Sequence, residues 1–236
     1  MTGTLSRTAA VLCLLVAASF ADTTVRGKVV NGDGDPVAGA DVGTNWQFGE
    51  DAKPYGGVKT AEDGTFSITQ KHWSLDATVL AMDAARERGA FASVVKENWN
   101  VTLKLEPLVT VTGRLDCKQP GVKPTHASLS WFAGERKVRM GNLYAPKADW
   151  SLKLPPGDWL LYVFHPDLEP YSRDFTLKAG EDLEFGAIEI KPNLLATLSG
   201  KELPEWKVSD ARGVEKTVQI SAYRGKWVVV EFWGWW

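Results

Sequence analysis

The chain has 236 residues, 44% hydrophobic and 24% charged, with a formal net charge of -2 from 27 basic and 29 acidic side chains. That is too apolar for a disordered chain, and the balance excludes the basic surplus of a nucleic-acid binder and the acidic surplus of a solvating tail. Two cysteines and three histidines exclude a disulfide-dense scaffold and a cysteine-rich zinc module, and leave little for a histidine-built metal site.

Residues 1–21 read as a secretory signal peptide. Met1–Arg7 is polar with one cation, Thr8–Ala18 is apolar, and Ser19 and Ala21 have the spacing of small residues before a cleavage point. The apolar run is shorter than the roughly 20 residues that a membrane span needs. An uncleaved anchor is the competing reading. Cys13 lies in the run, but Ala10-Val11-Leu12 before it does not make a lipoprotein signal. Cleavage leaves Cys117, expected as a partly buried small residue at a strand end. Asn100-Val101-Thr102 fits the glycan-acceptor pattern.

From Thr24 onward short alternating runs are separated by Gly, Asp, Asn and Pro, the pattern of β-strands and turns. Thr24–Val30 puts Val25, Gly27 and Val29 on one side. Asn31–Pro36 is a dense turn signal, and Val37–Val42 is expected as a second strand. Glu62-Asp63-Gly64 turns into Thr65–Thr69, with Phe66 and Ile68 on one face. Leu75–Met82 and Ala90–Val95 continue, with Met82–Gly89 a candidate helical turn. Val101, Leu103 and Leu105 close this part.

Val25-Arg26-Gly27-Lys28-Val29-Val30, Gly34–Val42 and Thr60–Phe66, in that order, resemble the carboxypeptidase regulatory-like domain over 24–106. The resemblance implies a transthyretin-like β-sandwich serving as an accessory or adhesive module, without the zinc chemistry of the peptidase domain.

Pro107 marks a boundary, and a second sandwich is expected over 107–193. Val109 and Val111, then Ala127, Leu129 and Trp131, then Trp150, Leu152 and Leu154 alternate with polar residues. Pro155-Pro156-Gly157-Asp158 is expected to close a hairpin with Trp159–Phe164, a nearly continuous apolar run that reads as a strand buried on both faces. Phe175, Leu177, Phe185, Ile188 and Ile190 complete the set, and LPPGDW and KAGEDLEFGAIEI resemble repeats of the same sandwich class in bacterial secreted proteins. Similarity between the two halves is weak by inspection.

Residues 194–201 read as a linker. The stretch 202–236 then carries Pro204, Trp206, Asp210, Gly213, Ser221-Ala222-Tyr223-Arg224-Gly225-Lys226 and an apolar run ending Phe232-Trp233. Those parts, in that order, resemble the opening of a thioredoxin-like domain of the redoxin kind. In the thiol-disulfide branch of that family a Cys-x-x-Cys pair follows such a strand at a helix N-terminus, where the dipole and free N–H groups favour the thiolate. No such pair occurs up to Trp236, so it is expected directly after Trp236. Val228–Trp233 also reads as a strand needing cover on both faces. The expectation is therefore a piece of a longer protein.

No other site emerges. Asn31, Asp33 and Asp35 have calcium-loop spacing, but Pro36 and Val42 occupy the positions that require Gly and Glu. His72, His126 and His165 lack metal-ligand spacing, and no hydrolase elbow or phosphate loop occurs. Asp149, Asp158 and Asp167 isolate no carboxylate pair. Trp46, Trp73 and Trp99 are the aromatic candidates for stacking on carbohydrate.

The expected fold is mainly β, two tandem immunoglobulin- or transthyretin-like sandwiches plus an incomplete α/β thioredoxin-like start. The expected function is the front of a secreted or periplasmic thiol-disulfide oxidoreductase, with no catalytic residue, cofactor or metal in this chain. The alternative is a non-catalytic cell-surface or secreted sandwich protein that binds a protein or glycan, with a degenerate tail. Protein substrates or cell-envelope partners are expected, and neither nucleic acid nor a membrane span after cleavage. A regulatory module of a peptidase ranks last.

Overall fold

Alternation of apolar and polar residues sets the strands, because a strand with one dry face must bury it against another sheet. The computed structural model describes residues 23–70, 76–95, 99–145, 147–202, 205, 210 and 212–229. The expected signal segment 1–21, His72, Trp73 and the expected strand end at Phe232-Trp233 lie outside the described residues. The first half contains β1 (Thr23–Val30), β2 (Asp41–Gly43), β3 (Trp46–Gln47), β4 (Lys53–Pro54), β5 (Val58–Lys59), β6 (Thr65–Gln70), β7 (Asp76–Met82), β8 (Arg88–Val95), β9 (Asn100–Lys104) and β10 (Glu106–Pro107). The second contains β11 (Val109–Asp116), β12 (Ala127–Ala133), β13 (Val138–Ala145), β14 (Asp149–Leu154), β15 (Gly157–Phe164), β16 (Tyr171–Leu177) and β17 (Leu183–Glu189). A one-turn helix, α1 (Leu194–Leu198), follows inside the expected linker, capped by Asn193 Oδ1, which accepts from Ala196 N at 2.9 Å.

The protein is mainly β, in four sheets ordered β6-β1-β9, β10-β8-β7-β2-β5, β14-β11-β17 and β16-β15-β12-β13-β3-β4. One apolar cluster joins Val25, Val29, Phe66, Ile68 and Leu103 of the first sheet to Val42, Val79, Ala81 and Val94 of the second. The other joins Val111, Leu115, Trp150, Leu152 and Ile188 of the third to Leu129, Trp131, Leu161 and Val163 of the fourth.

The halves are built alike, although their sequences align poorly by inspection. Each has a central strand flanked by one antiparallel and one parallel neighbour: β1 between β6 and β9, β11 between β14 and β17. Gly27 faces Phe66 and Gly113 faces Trp150 in matching registers. Both glycines admit the opposing ring: a Cβ on Gly27 would sit 2.3 Å from Val101 O and 2.6 Å from Phe66, and one on Gly113 would sit 2.3 Å from Trp150. Val25-Arg26-Gly27-Lys28-Val29 thus corresponds to Val111-Thr112-Gly113-Arg114-Leu115, and Leu103-Lys104-Leu105-Glu106-Pro107 to Ile188-Glu189-Ile190-Lys191-Pro192. In the facing sheets, β8-β7-β2 matches β16-β15-β12.

The halves are also interlocked. The ribbon β3-β4 leaves the first half and extends the sheet of the second, with Trp46 and Gln47 pairing in parallel with Gly141 and Asn142 of β13. Trp46 has no exposed surface and belongs to the second half's core with Phe48, Leu80 and Met82. Arg86, in left-handed backbone at φ 57°, clamps the ribbon. Its Nε donates to Ala52 O at 2.8 Å, its Nη2 to Asp41 Oδ2 at 2.5 Å, and its guanidinium lies 5.8 Å from the Trp46 ring centre. Only Leu108 separates β10 from β11.

Four expectations change. Val37–Val42 is not one strand: turn residues occupy Ala38-Gly39, and β2 starts at Asp41. Met82–Gly89 is the connection of the β7-β8 hairpin rather than a helical turn. β14 and β15 do not form a hairpin. They lie in opposite sheets, because Pro155 and Pro156 have no N–H to offer a ladder and carry the chain across the core. Finally, β15 is buried on one face only: Trp159, Leu161 and Val163 point inward, while Leu160 and Tyr162 are half-buried and Phe164 is exposed.

Candidate binding face

Among the described residues, the candidate side chains lie apart from one another. Asn31 Oδ1 accepts from the backbone N of Asp33 and of Asp35, both at 2.9 Å, which accounts for that loop as a turn. His165 is a satisfied core histidine: Nδ1 accepts from Asp167 N at 3.0 Å, so Nε2 carries the proton and donates to Thr125 O at 3.1 Å. His126 sits against Tyr144, with ring centres 5.9 Å apart. Asp149 pairs with Arg114, Asp158 accepts from Thr176 Oγ1, and Asp167 lies beyond β15, so the three carboxylates are not brought together. Cys117 is partly buried, as expected. Among the described residues no three His, Cys, Asp or Glu side chains are grouped to hold a metal. No helix among them is long and apolar enough to cross a membrane.

Of the tryptophan candidates, Trp46 is in the core, where its Nε1 donates to Gly43 O at 3.1 Å. Trp99 packs half-buried on the first half's cluster. Trp46 therefore has no ring face left for a sugar.

A different aromatic surface is present on the outer face of the six-stranded sheet. Strand registers place Phe164, Ser128 and Tyr144 in one row across β15, β12 and β13. The adjacent row runs Ser172, Tyr162, Ser130, Asn142, Gln47 and Lys53 across all six strands. At about 4.8 Å per strand the longer row spans roughly 24 Å, and Phe164 and Tyr144 stand about 10 Å apart. Phe164 is 54% exposed, Tyr144 59%, and Tyr55, beside Gln47, 56%. One such surface aromatic is ordinary; three exposed on one face, with Tyr162 half-buried beside Phe164, are a feature of this sheet.

The polar groups between these rings are oriented. Asn142 Oδ1 accepts from Ser130 Oγ at 2.8 Å and from Arg139 Nη2 at 2.5 Å. A guanidinium donor fixes that atom as the oxygen and turns the amide nitrogen outward. Gln47 Oε1 accepts from Tyr55 OH at 3.2 Å. Asn142 and Gln47 are direct neighbours across β13 and β3. The face thus presents two adjacent carboxamides whose oxygens are engaged and whose NH2 groups have no partner among the described residues. The sequence held no signal for it, since Gln47 and Tyr55 reach this sheet only through the ribbon from the other half.

No protein-family model matches the chain, and no curated protein matches it. Among solved structures it is similar to the Bacillus anthracis TIE protein, with 14% identity and a TM-score of 0.31 over 72% of this chain and 34% of that one. It is similar to a Streptococcal ancillary pilin, with 10% identity and a TM-score of 0.35 over 75% of this chain and 64% of that one. It is also similar to GBS52, the minor pilin of Streptococcus agalactiae, with 12% identity and a TM-score of 0.32 over 76% and 99%. The chain thus spans about a third and just under two thirds of the first two proteins. Likenesses at these TM-scores assign neither a fold family nor a function.

Proposed function

We propose that this chain is a non-catalytic, secreted or cell-envelope binding protein made of two sandwich modules, 24–106 and 107–193, locked together by the β3-β4 ribbon. Its outer six-stranded face takes a neutral glycan. The observation that carries this reading is the pair of outward NH2 groups on Asn142 and Gln47, set among Tyr55, Tyr144, Tyr162 and Phe164. Aromatic rings offer flat apolar faces to the C–H side of a pyranose, and carboxamides donate to ring hydroxyls. A peptide would instead seek main-chain bonds at a sheet edge. The expected signal segment 1–21 supports the location, and cell-envelope glycans are partners of that class.

The test is affinity electrophoresis of the protein through gels containing soluble β-glucan or xylan. Retardation is expected, and it should disappear in a Tyr144→Ala/Phe164→Ala variant that keeps the parent's circular dichroism. Equal mobility of the two proteins in every gel would sink the reading.

A second reading keeps the two modules as the front of a thiol-disulfide oxidoreductase. The order of Pro204, Trp206, Asp210, Gly213 and Ser221–Lys226 before the Trp227–Trp233 run favours it. Sequencing the gene beyond the codon for Trp236 tests it: a frame opening with Cys-x-x-Cys supports this reading, and a stop codon removes it.

A further inference from the structure

The sheet β6-β1-β9 carries a surface of different chemistry. Its outer face is a shallow, open hollow bounded on one side by Val58, Lys59 and Ala61, with Lys59 paired to Asp41. Arg26 and Lys28 on β1 and Lys104 on β9 point outward, and the remaining outward side chains are hydroxyls and the Asn100 amide. The three strands contain no aspartate or glutamate at all. Among the described residues none of these three cations forms a salt bridge. Asp63, in the turn before β6, accepts from the hydroxyl and the backbone N of Thr65, and these bonds, with a smaller pull from the Lys28 charge, hold its carboxyl below the ordinary value.

The duplication supplies an internal control. In the matching sheet β14-β11-β17, Lys28 corresponds to Arg114, Thr65 to Asp149 and Lys104 to Glu189. There Arg114 pairs with Asp149, and Glu189 with Lys118. Among the described residues the same scaffold therefore holds these positions in salt bridges in one half and not in the other, in a chain whose net charge is -2. An unbalanced local surplus of this kind draws an anionic partner.

We propose that the concave face of β6-β1-β9 binds an acidic polysaccharide through its uronate carboxylates. Arg26 offers a planar fork to one carboxylate, Lys28 and Lys104 act as point charges, and the hydroxyls of Ser67 and Thr102 meet sugar hydroxyls. A concave surface fits a chain better than a planar bilayer. No aromatic side chain points outward from these strands, which argues against stacked nucleobases. The site is separate from the aromatic face, and its test is independent of that reading.

The experiment is titration calorimetry of the full chain with polygalacturonate, dextran sulfate, dextran and single-stranded DNA. Binding to polygalacturonate is expected, weakening as salt is raised, with none to dextran. Arg26→Glu/Lys28→Glu should weaken it by about tenfold or more with the unfolding midpoint retained, whereas Arg114→Glu on the matching face should leave it unchanged. Equal loss in both variants, no salt dependence, or stronger binding to DNA or dextran sulfate than to polygalacturonate would overturn the proposal. So would the absence of any binding to polygalacturonate.

Discussion

Replacing Trp46 with alanine removes the side chain on which the interlock of the two halves depends. The ring is fully buried, stacks on Phe48 with centroids 6.5 Å apart, hydrogen-bonds Gly43 O and lies under Arg86. Truncating a buried tryptophan costs about 3–5 kcal/mol, from lost burial plus the cavity left behind. The loss of the Arg86 contact lies within that range, since such cation–π pairs contribute about 0.5–2 kcal/mol. Because the ring comes from the first half and fills the second half's core, the cost falls on the coupling between them. The parent is expected to unfold in one cooperative calorimetric transition. Trp46→Ala should split it in two, the second half melting first. Circular dichroism and intrinsic fluorescence should then give midpoints that no longer coincide. Loss of less than about 1 kcal/mol, a surface-like value, or a parent that already melts in two steps, would refute the reasoning.

Gly27→Ala and Gly113→Ala should each destabilise by about 1–3 kcal/mol through overpacking. Gly27→Ala should cost more, because its Cβ meets the Val101 carbonyl as well as a ring; urea unfolding measures both. The Asp41 carboxyl should add a pH-dependent contribution. Burial works to raise its pKa, but hydrogen bonds from Lys59 and Arg86 outweigh that and hold it below the ordinary carboxylate value. Its folded pKa is depressed, so its contribution is present above the unfolded value near 3.8 and is lost as pH falls through the folded one. Arg86→Ala should flatten that part of the stability profile between pH 4 and lower values, measured by melting at graded pH. Deleting 202–236 should leave the melting of the remainder nearly unchanged, because among its described residues the side-chain hydrogen bonds, Ile220 N to Glu205 and Arg224 to Glu202, stay within it.

Strands with clean alternation were legible from sequence, as at Val109–Val111, Ala127–Trp131 and Trp150–Leu154, because one buried face imposes a period of two. The ribbon was not, since Trp46–Gln47 and Lys53–Pro54 are too short to alternate and owe their place to a core in the other half. The crossing at Pro155-Pro156 is not legible either, because a turn signal fixes where the chain bends and not which sheet it enters. Tyr162 and Phe164 read as core in the sequence because the alternation of β15 is masked by apolar side chains on its outer face. Those same aromatics belong to the face proposed to bind a glycan, where local pattern and burial diverge.

The most direct measurement is carbene footprinting of the intact protein with and without saturating neutral β-glucan. Protection confined to Tyr55, Tyr144, Tyr162 and Phe164, with Arg26 and Lys28 unchanged, is the result expected of a glycan lying across the six-stranded face. Protection elsewhere, or none at saturation, would contradict it.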